Sequence, residues 1–436
     1  MKVLDIEKNI GIEAFFTSFK GTGGKLRTKP EDFTVKEVSN YPKEKKDGKF
    51  AVADVTAINW ETNLLARELS NRLHISRQRI GFTGTKDKRA KTTRLMSFYD
   101  VSLEDLSGIN IEDVTIENAY RSNKAAKIGN LTGNNFEVII RDIDENPNKK
   151  ELQKTISMIN DFGGFPNFFG VQRFGAIRPI THIVGKYIVK DDFEKAAMTY
   201  IANPIKEEGE DVFALRKKLQ DSKNYAEALK SYPNKLNYEK AILNKLVRDP
   251  KDFVSALKEL PKNLLTMFVY AYQSYLFNKI ISERIKQEIP LNQAIVGDMI
   301  LPVRKGIIDE KGIIVNEDNI KKINLQISKG NAYVSGVLFG SDSTFSHGKM
   351  GEIEHNIIEK EKIDPRDFII PDIPYISSTG MRRPLLASVR DLEFKIVKDD
   401  LNPKKQALIL KFMLKKGCYA TSLLREFMKA DDIRNY

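Results

Sequence analysis

Gly81-Phe82-Thr83-Gly84-Thr85-Lys86-Asp87-Lys88-Arg89-Ala90 is a polar, glycine-bearing loop set between two extended segments. One leads in through Ile80 and Phe82, and the other leaves along Arg94 to Val101, both in residues that favour strands. A strand, a loop and a second strand point to a sheet with a loop at its margin. The loop places one carboxylate, Asp87, among Lys86, Lys88, Arg89, Lys91 and Arg94. Its two glycines allow backbone with positive φ. Two readings fit these residues. One is a tight turn whose acid pairs with nearby lysines. The other is an acid kept ionised where phosphates bind, as a nucleophile acting on a nucleotide requires.

Working outward, Phe33-Thr34-Val35-Lys36-Glu37-Val38 and Phe50-Ala51-Val52-Ala53-Asp54-Val55 alternate like half-buried strands. Thr62 is placed to cap a helix bearing Leu65, Leu69 and Leu73. Phe136 to Ile143 predicts another strand. Asn146-Pro147 predicts the start of a helix carrying Leu152, Ile156 and Ile159, ending at Gly163-Gly164. From Asp191 to about Glu288 the pattern is mostly helical, with helices over Phe193 to Ile201, Tyr238 to Val247 and Leu264 to Arg284. Short strands follow, up to Val334 to Gly340, and then a helix near Met350 to Lys362. Leu385 to Val397 and Leu408 to Leu414 return to alternation, before a last helix with Leu423, Leu424, Phe427 and Met428. A strand-rich start, a helical middle and a strand-rich end predict one sheet interrupted by an insertion.

Composition narrows the chemistry. Of 436 residues, 71 are Lys or Arg and 59 Asp or Glu, a net charge of +12 that fits a polyanionic partner. The single cysteine, Cys418, excludes an intrachain disulfide, and four scattered histidines give no metal-type spacing. Met1 to Phe19 carries Asp5, Glu7 and Glu13 and lacks the apolar core of a signal peptide. The most apolar stretch, Leu264 to Ile281, is broken by Tyr270, Gln273, Asn278 and Lys279 and reads as a buried helix, not a bilayer span. The expectation is a cytoplasmic protein with no membrane segment, no metal and no cofactor. Gly21-Thr22-Gly23-Gly24-Lys25 fails as a phosphate loop: Phe19 stands where the first glycine belongs, and Leu26 replaces the Ser or Thr that meets magnesium.

Four further stretches carry candidates. Arg27-Thr28-Lys29-Pro30-Glu31-Asp32-Phe33 is a polar turn entering a strand. Its arginine suits a bidentate carboxylate contact, or the stretch is simply a turn with a core phenylalanine. In Gly133-Asn134-Asn135-Phe136 the amide and ring can read and stack on a base, or form an ordinary turn ahead of a strand. Phe165 to Gly175 mixes phenylalanines with Gln172 and Arg173. The aromatics are read as structural, and the two polar residues as candidate ligand contacts. Tyr419 lies between a strand and a helix, a common place for binding residues, whereas Cys418 reads as a small buried residue.

Together these stretches resemble the TruD family of tRNA pseudouridine synthases, in order as well as content. Arg27 to Phe33 is similar to a K/R-x-x-P-E-D-F motif, Gly84 to Ala90 to G-x-K-D-K/R-x-A, and Gly133 to Phe136 to G-N-x-F. Asn167 to Gly175 resembles N-Y-F-G-x-Q-R-F-G, with Phe168 in place of Tyr, and Gly417 to Glu426 resembles G-x-Y/F-A-T-S-x-L-R-E. The likeness spans about residues 20 to 430 and is loose over Lys186 to Gln326. It implies a mixed α/β, α+β fold. A mostly antiparallel catalytic sheet would occupy 1–164 and 385–436, and an α/β insertion 165–384. It also implies a cofactor-free isomerisation of uridine to pseudouridine in tRNA, usually at position 13. In that scheme Asp87 is the nucleophile, and Arg27 holds it. Phe136 stacks on the base, Asn134 contacts the flipped nucleotide, Phe33 and Tyr419 line the pocket, and Lys86 is a substrate contact. The competing expectation is an RNA-binding or chaperone protein that keeps the cleft without catalysis.

Overall fold

The computed structural model describes residues 3–432 and 435–436. The chain divides into two units. One is Thr17–Phe165 with Ala387–Tyr436, and the other is Pro166–Leu386 with the N-terminal segment that ends at Phe16.

The first unit is built on an eight-stranded sheet. Its strands are β1 (Phe33–Ser39), β2 (Phe50–Ile58), β3 (Ile80–Phe82), β4 (Lys91–Tyr99), β5 (Val114–Ser122), β6 (Leu131–Ile143), β7 (Val389–Lys398) and β8 (Gln406–Lys415). The order is β7-β8-β6-β1-β4-β2-β5, with β3 beside β4. β1 and β4 run parallel, and the other pairings are antiparallel. The last two strands of the chain thus extend the sheet begun by the first third.

Three helices, α1 (Thr62–Arg72), α2 (Lys149–Asp161) and α3 (Ala420–Met428), cover one face. Register shows that it is a single face. Ala57 on β2 pairs with Thr92 on β4, and Thr92 with Val35 on β1, so all three side chains point the same way. Ala57 packs in the core under α1, with Leu65, Leu69, Met96 and Phe98. Val35 packs in the core under α2 and α3, with Leu410, Phe412, Ile156 and Leu424. β1 and β4 therefore form the seam between two apolar clusters.

The stretch before β1 is held by Arg141 on β6. Its side chain is 6% exposed and reaches Asp32 and Asp399, each at 2.8 Å, and Asp400 at 2.5 Å. Asp399 and Asp400 follow β7, so one guanidinium ties the approach to β1 to the chain's last hairpin.

Several local expectations shift. Glu61, not Thr62, caps α1: its carboxylate accepts from the N–H groups of Asn63 and Leu64. Asn148, not Asn146, caps α2. β5 has no counterpart among the sequence expectations because Glu117, Asn118 and Ala119 are exposed, which leaves no clean alternation at this edge.

The second unit contains the long helix Lys262–Lys286 and a five-stranded antiparallel sheet centred on Met299–Arg304 and Ala332–Leu338. The expected catalytic segment begins at residue 1, but the chain up to Phe16 groups with this unit instead. The reason is close backbone packing. Asn278 donates to the Ile10 carbonyl and Ser282 to that of Gly11. Gly11 has φ +82, and a Cβ there would lie 2.6 Å from the Tyr275 oxygen. No helix of the described residues is long and apolar enough to cross a membrane.

Burial pushes the Asp399 carboxyl up. The Asn402 amide, the N–H groups of Asp142 and Leu401, and Arg141 outweigh this and hold it well below the usual carboxylate range. A depressed carboxyl contributes stability above its unfolded pKa and loses it as pH falls toward the folded value. Asp399→Asn is therefore expected to lower Tm by several degrees at pH 7. The gap to the parent should close between about pH 4 and pH 2 in thermal melts followed by circular dichroism. A gap that stays constant with pH would rule out this linkage.

Candidate active site

The loop between β3 and β4 is tied down on both sides of Asp87. Ahead of it, the Lys86 N–H donates to the Thr62 hydroxyl at 2.9 Å. The Lys86 ammonium lies 2.6 Å from a Glu37 carboxylate oxygen, with side chains 6% and 2% exposed. Behind it, Arg89 donates to the Arg27 carbonyl at 2.8 Å. Between these tethers the Asp87 side chain stays 55% exposed, and its Oδ2 accepts from Arg27 Nη2 at 2.6 Å.

Arg27 is itself fixed. Its φ of 55° is a left-handed conformation unusual for a residue with a Cβ, and such local strain collects at functional sites. Its guanidinium carbon sits 4.2 Å from the centre of the Phe33 ring. Phe33 meets Phe136 edge to face at 6.0 Å, and Phe136 stacks on Phe412 at 5.1 Å. The sheet arranges this series. Val35, Phe136 and Phe412 are directly paired across β1, β6 and β8, and Phe33 lies two residues from Val35 on the same face. An arginine packed on an aromatic face has little freedom to leave its carboxylate.

The next row of the sheet is polar. Arg94 on β4, Glu37 on β1 and Asn134 on β6 share the helix-covered face, since Arg94 and Glu37 each lie two residues beyond the Thr92–Val35 pair and Glu37 pairs with Asn134. Arg94 is fully buried. It donates to the Thr62 hydroxyl at 2.7 Å and to the Thr92 hydroxyl. Burial pushes its guanidinium down to about 10, against the pull of Glu37 and Glu61, so it stays charged at neutral pH. Glu37 also accepts from the hydroxyls of Ser39 and Thr83. Asn134 Oδ1 is buried with no hydrogen-bond partner among the described residues, an acceptor left open for a donor.

The structure thus joins Asp87, Arg27, Phe33 and Phe136 in one continuous series, with Asn134 one row away. Tyr419 is half-buried and immediately precedes α3, whose residues pack in the same core as Phe33. Lys86 differs from expectation: its ammonium is committed to buried Glu37. Gly81 and Gly84 differ too, for neither has positive φ. Gly81 is required by close approach, because a Cβ there would lie 2.4 Å from the Ala126 oxygen. Gln172 and Arg173 belong to the other unit, where Arg173 lies near the Phe169 and Tyr270 rings. Phe168, Phe169 and Phe174 are buried there, in the structural role expected of them. Cys418 packs against the core under α3.

Sequence alone does not single out Glu37, Thr62, Arg94 and Phe412 as site residues. Glu37 has a readable signal, as it continues the inward face set by Phe33 and Val35. No cluster of three His, Cys, Asp or Glu suited to a metal occurs among the described residues.

Comparison with known proteins adds the context. The sequence profile of tRNA pseudouridine synthase D (TruD) matches residues 9–427. A probable tRNA pseudouridine synthase D of Methanococcoides burtonii is 44% identical, covering 99% of each chain. One of Thermococcus sibiricus is 37% identical over 95% of this chain and 97% of its own. The crystal structure of the putative tRNA pseudouridine synthase D from Methanosarcina mazei superposes with a TM-score of 0.90 at 40% identity, covering both chains fully.

The Lys86–Glu37 pair generates a stability test. Lys86→Met leaves a buried carboxylate unpaired and is expected to cost about 3–5 kcal/mol in urea denaturation. Adding Glu37→Leu should recover most of that loss. Additive costs in the double variant would show that the two groups are not coupled.

Proposed function

The chain belongs to the tRNA pseudouridine synthase D family, and on that footing we propose that it isomerises uridine 13 of tRNA to pseudouridine with Asp87 as the nucleophile. The observation that carries the assignment is an exposed carboxylate held at 2.6 Å by an arginine that itself packs on the aromatic series ending at Phe412.

The target base is stacked inside the RNA, so it must leave its stack to reach a carboxylate on a protein loop. Phe136 and Phe33 offer an apolar face for the extruded ring, and Tyr419 a further wall. The open Oδ1 of Asn134 suits the N3–H of uracil, a donor that would otherwise be buried unpaired.

The Asp87 carboxylate attacks C1′ of the ribose as the C1′–N1 bond breaks, and the bonding pair leaves with the base. The base rotates, and its C5 forms the new bond to C1′ while Asp87 departs with its pair. C5 then loses its proton and N1 gains one, so atoms and electrons balance without an oxidant, reductant or co-substrate. Arg27 keeps the carboxylate aimed through both displacements. Lys86 acts by fixing the loop through Glu37, and the exposed Lys88 and Arg89 are placed to meet phosphates.

Asp87→Asn is expected to abolish product, read by carbodiimide-adduct primer extension, while tRNA affinity stays within a few fold. Undiminished product would remove Asp87 from the nucleophile's role. Binding of tRNA by the parent with no product would favour the competing reading, an RNA-binding protein without catalysis. Affinity should also fall steeply with salt, log K declining linearly with log salt concentration. A flat titration would contradict phosphate-dominated binding.

A further inference from the structure

Ile128 is 77% exposed, at the tip of the loop between β5 and β6. A lone exposed apolar residue is ordinary on a protein surface. Two features set this one apart: how firmly its loop is braced, and against what.

Ala126 donates its N–H to the Ser97 hydroxyl at 2.9 Å and lies directly over Gly81, where a Cβ would be 2.4 Å from its carbonyl. Gly129 donates its N–H to the carbonyl of Thr83, on the approach to the Asp87 loop, at 2.9 Å. The Lys416 ammonium donates to the Gly129 carbonyl at 3.1 Å. Gly129 takes φ +93, and a Cβ there would meet nothing within 4 Å, so the tip stands in open space. Lys124 and Lys127 belong to the same loop, and they and Lys416 are all exposed. An apolar tip on a braced loop that carries two exposed lysines and is held by a third is poorly placed to meet an apolar protein surface, but well placed to meet a nucleic-acid strand.

Position fits as well. Thr83 is four residues from Asp87, a reach of at most about 14 Å. β6 then carries the chain from this loop to Asn134 and Phe136. Ile128 is therefore within about 20 Å of the nucleophile, a span of at most about six stacked nucleotides at ~3.4 Å each. Chemistry on a base requires extrusion, and extrusion leaves a gap in the stack. Proteins that unstack nucleic acid do so with Ile, Leu, Phe or Met side chains presented between lysines and arginines.

We propose that Ile128 is a wedge that enters the RNA stack beside the target uridine and holds it open while the base occupies the Asp87 site. The inference rests on the function proposed above. It makes Ile128 a positioning residue for the extruded state, outside the chemical step. Its side chain touches no core, so replacing it should leave the fold intact.

The test compares the parent, Ile128→Ser and Ile128→Leu on two RNAs: a native tRNA transcript, and the same transcript with mismatches that loosen pairing and stacking around the target uridine. With the native transcript, Ile128→Ser is expected to lower kcat/KM at least tenfold, with tRNA affinity and Tm close to the parent and Ile128→Leu near normal. With the loosened transcript the defect should largely vanish, because the RNA no longer needs the wedge. An equal defect on both RNAs, or none on either, would overturn the wedge. Absence of pseudouridine from both RNAs with the parent enzyme would instead overturn the proposed function, and the wedge with it.

Discussion

The buried pair of Lys86 and Glu37 is the constraint on which the site depends. Glu37 occupies a position that strand alternation assigns to the apolar face, between the two hydrophobic clusters of the sheet. A carboxylate there is tolerable only if it is paired and hydrogen-bonded. Lys86 supplies the charge, and Thr83 and Ser39 supply hydroxyl donors. Two of those three partners come from the loop that carries Asp87. The cost of burying Glu37 is therefore offset only when that loop lies in one place, and a flexible, glycine-bearing connection becomes a fixed mount. Lys86 turns inward, and its neighbour Asp87 is left facing solvent.

The second fixed charge, Arg94, follows the same logic. It has no carboxylate within salt-bridge distance among the described residues, yet it is completely buried. Its two terminal nitrogens donate to Thr62 and Thr92 while its Nε has no partner among the described residues, and Thr62 is the group that also holds the Lys86 backbone. Helix α1, strand β4 and the loop thus converge on one hydroxyl. That explains why Glu61, one residue earlier, caps the helix: the Thr62 side chain is already engaged. Pairing Glu37 with Lys86 and leaving Arg94 to hydroxyls keeps the buried positive charge close behind the loop.

Much of this is legible in the sequence, and the limits have physical causes. Strand β1 can be read because its inward face alternates with exposure, and β2 and β4, buried on both faces along their middle, because their residues favour strands. β5 cannot, because it is an exposed edge. Asp87, Arg27, Phe33 and Phe136 can be picked out from local chemistry and resemblance. Their mutual packing cannot, because Arg27 and Asp87 are sixty residues apart and meet only when β1 pairs with β4. Lys86 departs from expectation for a related reason. Exposure is the default for a lysine in a charged loop, and only the inward position of Glu37 on a different strand reverses it. Gly81 serves space, not φ, and sequence alone does not distinguish those demands.

A site built this way divides its labour between rigid and open parts. On the proposed mechanism the carboxylate must hold its aim while one bond at C1′ is exchanged for another and the base turns beside it. Each tether of the loop acts on the backbone or on the neighbours of Asp87, and Arg27 is its one close ionic partner among the described residues. Direct hydrogen bonds from several donors would have held the carboxylate as firmly, but on the proposed mechanism each would also lower its nucleophilicity and block the approach of ribose. Anchoring the adjacent residue fixes direction while engaging only one carboxylate oxygen, the Oδ2 held by Arg27. The aromatic series does the same for Arg27, by packing against its face and leaving Nη2 free to donate. Preorganisation here comes from burying charge one residue away from Asp87.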